Sequence, residues 1–173
     1  YAKMNDPNPK NGLKEGYQVL DKGGKAYNAI VTITGEKGEN ITRDNVEKKG
    51  EQAAFDKISK ALEGNRPVTL STDPEQLYTV KPGKKFLGIP IGLPSMEPTP
   101  QDGLADNHVY KVEKIFKEGG EIKVTLRNPW GSNNVKDESP PGGQDAKSPT
   151  ITVKLKDIVE GGGFEYFNIG QDY

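Results

Sequence analysis

Apolar and polar positions alternate with two different periods along this chain, and the change of period divides it. In "GLKEGYQVLDKGG", Leu13, Tyr17 and Leu20 recur at helical spacing between glycines, which predicts a short helix. The next run, "KAYNAIVTITG", fits helix and strand alike and is read as helix. A stronger signal follows, in which Asp44 and Glu47 have capping-box spacing and Phe55, Ile58 and Leu62 repeat every three or four residues before Gly64 and Pro67. These features predict a helix over Asn45 to Glu63, after which "PVTLST" (Pro67 to Thr72) reads as a strand. Between Asp73 and Ala105 prolines and glycines crowd together, predicting extended surface loops around at most one short strand, "FLGIPIGL".

The period is two in "HVYKVEKIF" and "EIKVTLRN", and "KEGG" between them is a turn signal, so the pair predicts an antiparallel hairpin. If both apolar sets enter one core, paired position numbers add to an even total, which calls for a three- or five-residue loop. With a total of 236, Val112 faces Val124, Tyr110 faces Leu126 and His108 faces Asn128. Directly opposed residues have Cβ atoms about 4.5 to 5.5 Å apart, close enough for an asparagine amide to fix the tautomer of an imidazole. The pieces together predict an α+β fold, with N-terminal helices packed on a twisted antiparallel sheet. Residues 1–173 are expected to form a single domain, mainly helical over 1–66 and sheet with long loops over 67–173.

Composition narrows the function. The 173 residues carry 24 basic and 25 acidic side chains, interspersed along the chain with no basic stripe, so nucleic acid is not an expected partner. "GEKGEN" and "KPGKK" are solvated turns, since lysines without aromatic interleaving do not make a nucleic-acid site. No apolar run approaches the roughly 18 residues of a bilayer span, so no membrane is expected either. A first residue of Tyr1 rather than Met leads us to expect a processed or shortened product. Absence of cysteine removes any disulfide framework and leaves the compartment open.

The chemistry concentrates in "DNHVYKVEKIFKEGGEIKVTLRNPWGSNN", which holds the one histidine and the one tryptophan of the chain, His108 and Trp130. An imidazole with one nitrogen engaged and the other free is the base half of a nucleophile and base pair. Each residue also has a plainer reading. A lone histidine on a strand is more often structural, Asn128 before Pro129 is a turn initiator, and Trp130 is equally a core aromatic. If Trp130 were fully buried, replacing it by Ala would cost about 3 to 5 kcal/mol.

"NHVYKV" followed twenty residues after the histidine by "RNPWG" resembles the histidine and asparagine segments of calpain-like proteases, in the papain superfamily of cysteine proteases. "GYQVLDKGG", "AFDKISKALEGNRPVTLST" and "ITVKLKDIVEGGGFEYFNIG" are similar to calpain segments in the same order. The resemblance implies the second subdomain of the calpain core, with His108 as general base and acid, Asn128 as its orienter and Trp130 as the indole that shields their bond. Asn107 stands where many calpains have glycine. The implied partners are a polypeptide substrate and a preceding half of the same protease that bears the catalytic cysteine, for which these residues offer no match. Without it the chain should cut nothing. The residues themselves call for no cofactor; calcium is the metal the resemblance brings in, at Asp137, Glu138 and Asp145 of a Gly- and Pro-rich loop. Other readings are a non-catalytic polypeptide-binding domain derived from that fold, and a secreted β-rich module with an apolar pocket.

Overall fold

The computed structural model describes residues 28–31, 35–36, 38–73, 102–135, 139–161 and 163–171, and the backbone of 78–81, 85–86, 89–90 and 95–98. The helix expected around Leu13 to Leu20 lies outside the described residues. Residues 28–31 are helical, as read from "KAYNAIVTITG". The chain then forms β1 (Glu39–Thr42), α1 (Arg43–Lys49), α2 (Glu51–Glu63) and β2 (Val68–Thr72). After four short strands, β3 (Tyr78–Lys81), β4 (Lys85–Phe86), β5 (Ile89–Pro90) and β6 (Ser95–Pro98), come β7 (Val109–Glu118) and β8 (Glu121–Arg127). A 3-10 turn (Pro141–Gly143), β9 (Thr150–Lys154), α3 (Leu155–Gly161) and β10 (Phe164–Ile169) complete the described elements.

The fold is α+β. Six strands make one antiparallel sheet in the order β1-β10-β2-β7-β8-β9, so the last strand returns to lie between the first two. Cross-strand partners share a face, and two rows show which face is buried. Ile41, Phe167, Leu70 and Tyr110 pair in succession across β1, β10, β2 and β7. Val112, Leu126 and Ile151 do the same across β7, β8 and β9. Val46 of α1, Ala54, Ile58 and Ala61 of α2, and Leu155 and Ile158 of α3 belong to the same buried cluster as these rows.

Five local expectations are corrected. The helix expected over Asn45 to Glu63 is two helices, because Gly50 takes φ 83° and ψ 157°, a conformation open to glycine and costly for any other residue. The capping box is formed by Thr42 and Asn45 rather than by Asp44 and Glu47, so the first helix starts two residues earlier, at Arg43. "GEKGEN", read as a solvated turn, runs into β1 at Glu39, whose polar residues occupy an edge strand. The proline-rich stretch holds two small ladders, β3 with β6 and β4 with β5, the second nested inside the first.

The hairpin register is the fifth correction. Its loop has two residues, Gly119 and Gly120, with φ of 61° and 81°, the positive pair that a type I′ turn requires. Glu118 therefore faces Glu121, and the position numbers add to an odd total through Lys114 and Thr125. Left uncorrected, this parity would set Val112 against a residue on the wrong face. A bulge at Glu113 absorbs one position, after which Val112 faces Leu126 and Lys111 faces Arg127. Both Val112 and Ile115 thus point into the core.

The outer edge of β9 has an unusual neighbour. Gln144 Nε2 donates to the Thr152 carbonyl at 2.7 Å, and Gln144 Oε1 accepts from the Thr152 N–H at 2.7 Å.

Candidate active site

His108 lies one residue before β7 and Asn128 one residue after β8. Continued past the last pair, the register beyond the bulge sets Asn128 opposite Tyr110 and Trp130 opposite His108. The two site residues are diagonal neighbours rather than opposed, and still meet: His108 Nε2 is 3.0 Å from Asn128 Oδ1.

The segment Asn128–Pro129–Trp130–Gly131 is a tight turn closed by the Gly131 N–H donating to the Asn128 carbonyl at 3.1 Å. Asparagine first, proline second and glycine fourth is the composition such a turn favours. Asn128 Oδ1 also accepts the Trp130 N–H at 2.9 Å, so the plainer reading of Asn128 as a turn initiator holds alongside its contact with the imidazole. This second bond assigns the amide. A backbone N–H can only donate, so the atom it meets is oxygen, and the His108 nitrogen facing that oxygen must itself donate. Nε2 therefore carries the proton of the neutral ring, and the lone pair resides on Nδ1, which makes no hydrogen bond among the described residues.

Two aromatic rings hold the imidazole. Trp130 lies over it at a centroid distance of 4.0 Å and a tilt of 36°, and Tyr110 meets it edge-on at 5.0 Å. Tyr110 is buried, but Trp130 is 66% exposed. The indole is not a core aromatic, and the stability cost attached to that reading does not apply. Asn128 is only 1% exposed, and its Nδ2 is buried without a hydrogen-bond partner. An unmet donor costs about 1 to 3 kcal/mol, a burden that an apolar side chain would not carry.

The backbone of His108 is fastened to β2. The Thr72 N–H donates to the His108 carbonyl at 2.9 Å, and the His108 N–H donates to Thr72 Oγ1 at 3.0 Å. The preceding loop is buried at Asp102, Leu104 and Ala105, with Asp102 Oδ1 accepting the Leu104 N–H and the Tyr110 hydroxyl accepting the Ala105 N–H. Asn107 takes φ 49°, a left-handed conformation that glycine enters freely and asparagine tolerates. A cleft of about 130 Å³ opens beside His108, lined by Ser71, Asp73, Asn107, Glu165 and their neighbours. Sequence reasoning missed Thr72 and Tyr110 as parts of this site. Thr72 gives no local signal, since its partner is distant along the chain.

Asp137 and Glu138 lie outside the described residues, and Asp145 Oδ1 accepts the Lys147 N–H at 2.9 Å. Among the described residues no group of three or more His, Cys, Asp or Glu side chains converges. Among the same residues no helix is long and apolar enough to cross a membrane.

Burial lowers the pKa of His108 below its ordinary value of 6.5, and the bond to Asn128 opposes that shift to a smaller extent. Because the folded ring resists protonation, the unfolded chain takes the proton first as pH falls. The contribution of His108 to stability is therefore full above about 6.5 and is lost as pH drops from there toward the folded value. With one histidine in the chain, NMR titration reads it without ambiguity. The midpoint is expected below 6.5, and lower still in Asn128→Ala, which removes the opposing bond. A wild-type midpoint above 6.5 would contradict this account.

A histidine with one ring nitrogen committed to a buried carboxamide and the other bearing a lone pair has the geometry that a papain-type base requires. The chain matches the model of the calpain family of cysteine proteases over residues 10–140, and it belongs to that family. The match includes His108, Asn128 and Trp130. Against the curated proteins the chain has no significant match. Membership of a protease family suggests polypeptides as the substrate class.

Proposed function

We propose that residues 1–173 are the histidine- and asparagine-bearing part of a calpain-like cysteine endopeptidase, corresponding to the second subdomain of its core. The observation that carries this reading is the His108 Nε2 to Asn128 Oδ1 contact at 3.0 Å, with the opposite nitrogen left to take a proton. His108 is the general base and acid, Asn128 its orienter and Trp130 a partial lid over their bond. The nucleophile comes from a preceding half, since this chain has no cysteine.

The chemistry follows from the tautomer. Nδ1 accepts the thiol proton, and the thiolate attacks the peptide carbonyl to form a tetrahedral intermediate. The imidazolium then returns that proton to the departing amine, the C–N bond breaks and a thioester remains. Water, deprotonated by Nδ1, attacks the thioester and releases the acid and the thiol. Throughout, Nε2–H stays on Asn128, and a neutral amide orients the ring without placing a competing charge beside the ion pair.

The test joins the chain to a calpain half that carries the cysteine and follows alkylation by iodoacetamide near neutral pH. The thiol is expected to react at least about tenfold faster with wild-type chain than with His108→Ala, because an adjacent imidazole raises the thiolate fraction. Equal rates would favour the non-catalytic polypeptide-binding reading.

A further inference from the structure

We propose that Thr72 is a positioning residue for His108, its hydroxyl standing in for the hydrogen bond that would otherwise close the turn Ala105 to His108. This rests on the reading of His108 as the base. Asp106 and Asn107 form an exposed turn, and in a closed turn of this kind the carbonyl of the first residue accepts the N–H of the fourth. Here a hydroxyl from another strand is inserted between those two groups. Thr72 Oγ1 donates to the Ala105 carbonyl at 2.6 Å and accepts the His108 N–H at 3.0 Å.

The geometry leaves the hydroxyl little choice. It has one proton, and although the His108 carbonyl is 3.2 Å away, that oxygen already accepts the Thr72 N–H at 2.9 Å. The nearer Ala105 carbonyl takes the proton, and an Oγ1 lone pair serves the His108 N–H. Thr72 is 4% exposed, so water does not readily replace it. The residue before it, Ser71, pairs with Val109, which anchors the same clamp to the first residue of β7. On the other side, the Tyr110 hydroxyl holds the Ala105 N–H at 2.8 Å.

Removing the hydroxyl leaves two choices. Either the Ala105 carbonyl and the His108 N–H stay apart and unpaired, or the turn closes on itself and draws the His108 backbone inward; a misplacement of roughly 1 Å can cost about 10²-fold in rate. In the second case the imidazole leaves Asn128 Oδ1. Thr72 thus acts through the ring it places and touches no substrate.

The test compares Thr72→Val, Thr72→Ala and Thr72→Ser by 15N NMR of the one imidazole in the chain, with thermal melts beside it. Wild type and Thr72→Ser are expected to hold the proton on Nε2. Thr72→Val and Thr72→Ala should show a tautomer mixture and at least tenfold faster exchange of the Nε2–H. In the joined protease the hydroxyl-less variants should lose about 10²-fold in kcat with KM little changed. Wild-type tautomer and exchange in a folded Thr72→Val or Thr72→Ala would overturn the proposal. So would failure of both to fold while Thr72→Ser folds, since Thr72 would then be a structural residue only. The NMR signature is independent of catalysis, so full turnover in His108→Ala would remove the base reading and leave the positioning result to stand or fall by itself.

Discussion

Replacing His108 by Ala in the joined protease is expected to lower kcat for a peptide substrate by about 10³-fold or more, with KM changed little. Proton transfer by a positioned base contributes about 10² to 10⁴-fold by itself. The loss should lie toward the upper end, because a thiol without its imidazole also forfeits the thiolate. The ring contributes less to the fold. It is half-buried, and Thr72 meets its backbone, which alanine retains. A melt of His108→Ala near the wild-type midpoint, with turnover abolished, is the expected pair of results. Turnover retained in a folded His108→Ala would remove His108 from the catalytic machinery.

The largest stability effect is expected at Phe167. Its ring is fully buried, stands in the row from Ile41 through Leu70 to Tyr110, and packs against Phe164 at a centroid distance of 5.0 Å. Phe167→Ala should destabilise the fold by about 3 to 5 kcal/mol through lost transfer energy and the cavity left behind. Trp130→Ala, although it deletes a larger side chain, should cost no more than about 0.5 kcal/mol, because most of the indole is already in water. Urea melts order the two variants, and a Trp130→Ala loss matching that of Phe167→Ala would mean that the indole is packed.

Much of this fold was legible because burial imposes a period. The helix around Ile58 and both arms of the hairpin carry that mark, since each buries one face. The places that sequence reasoning lost are those where one residue resets the pattern. Gly50 divides a helix whose apolar spacing continues across it, and the Glu113 bulge shifts a register that the Gly119–Gly120 turn alone would set out of phase. The contact of His108 with Asn128 was nonetheless foreseen, since diagonal and direct neighbours are both within reach across a sheet. Exposure of Trp130 was not legible, because a turn can tip its indole either way. The Thr72 clamp was hidden for a different reason: nothing near Thr72 in the sequence names the loop that its hydroxyl will enter.

The amide of Gln144 has a consequence for how copies of this molecule behave toward one another. A terminal strand of an open sheet presents bare donors and acceptors on which a second polypeptide can template. Along β9 one such pair, on Thr152, is already occupied by a carboxamide that imitates a strand. A foreign chain would have to displace both bonds before it could add itself there, and the Thr150 N–H beside them is likewise taken by Ser148 Oγ, so side chains guard this border against stacking.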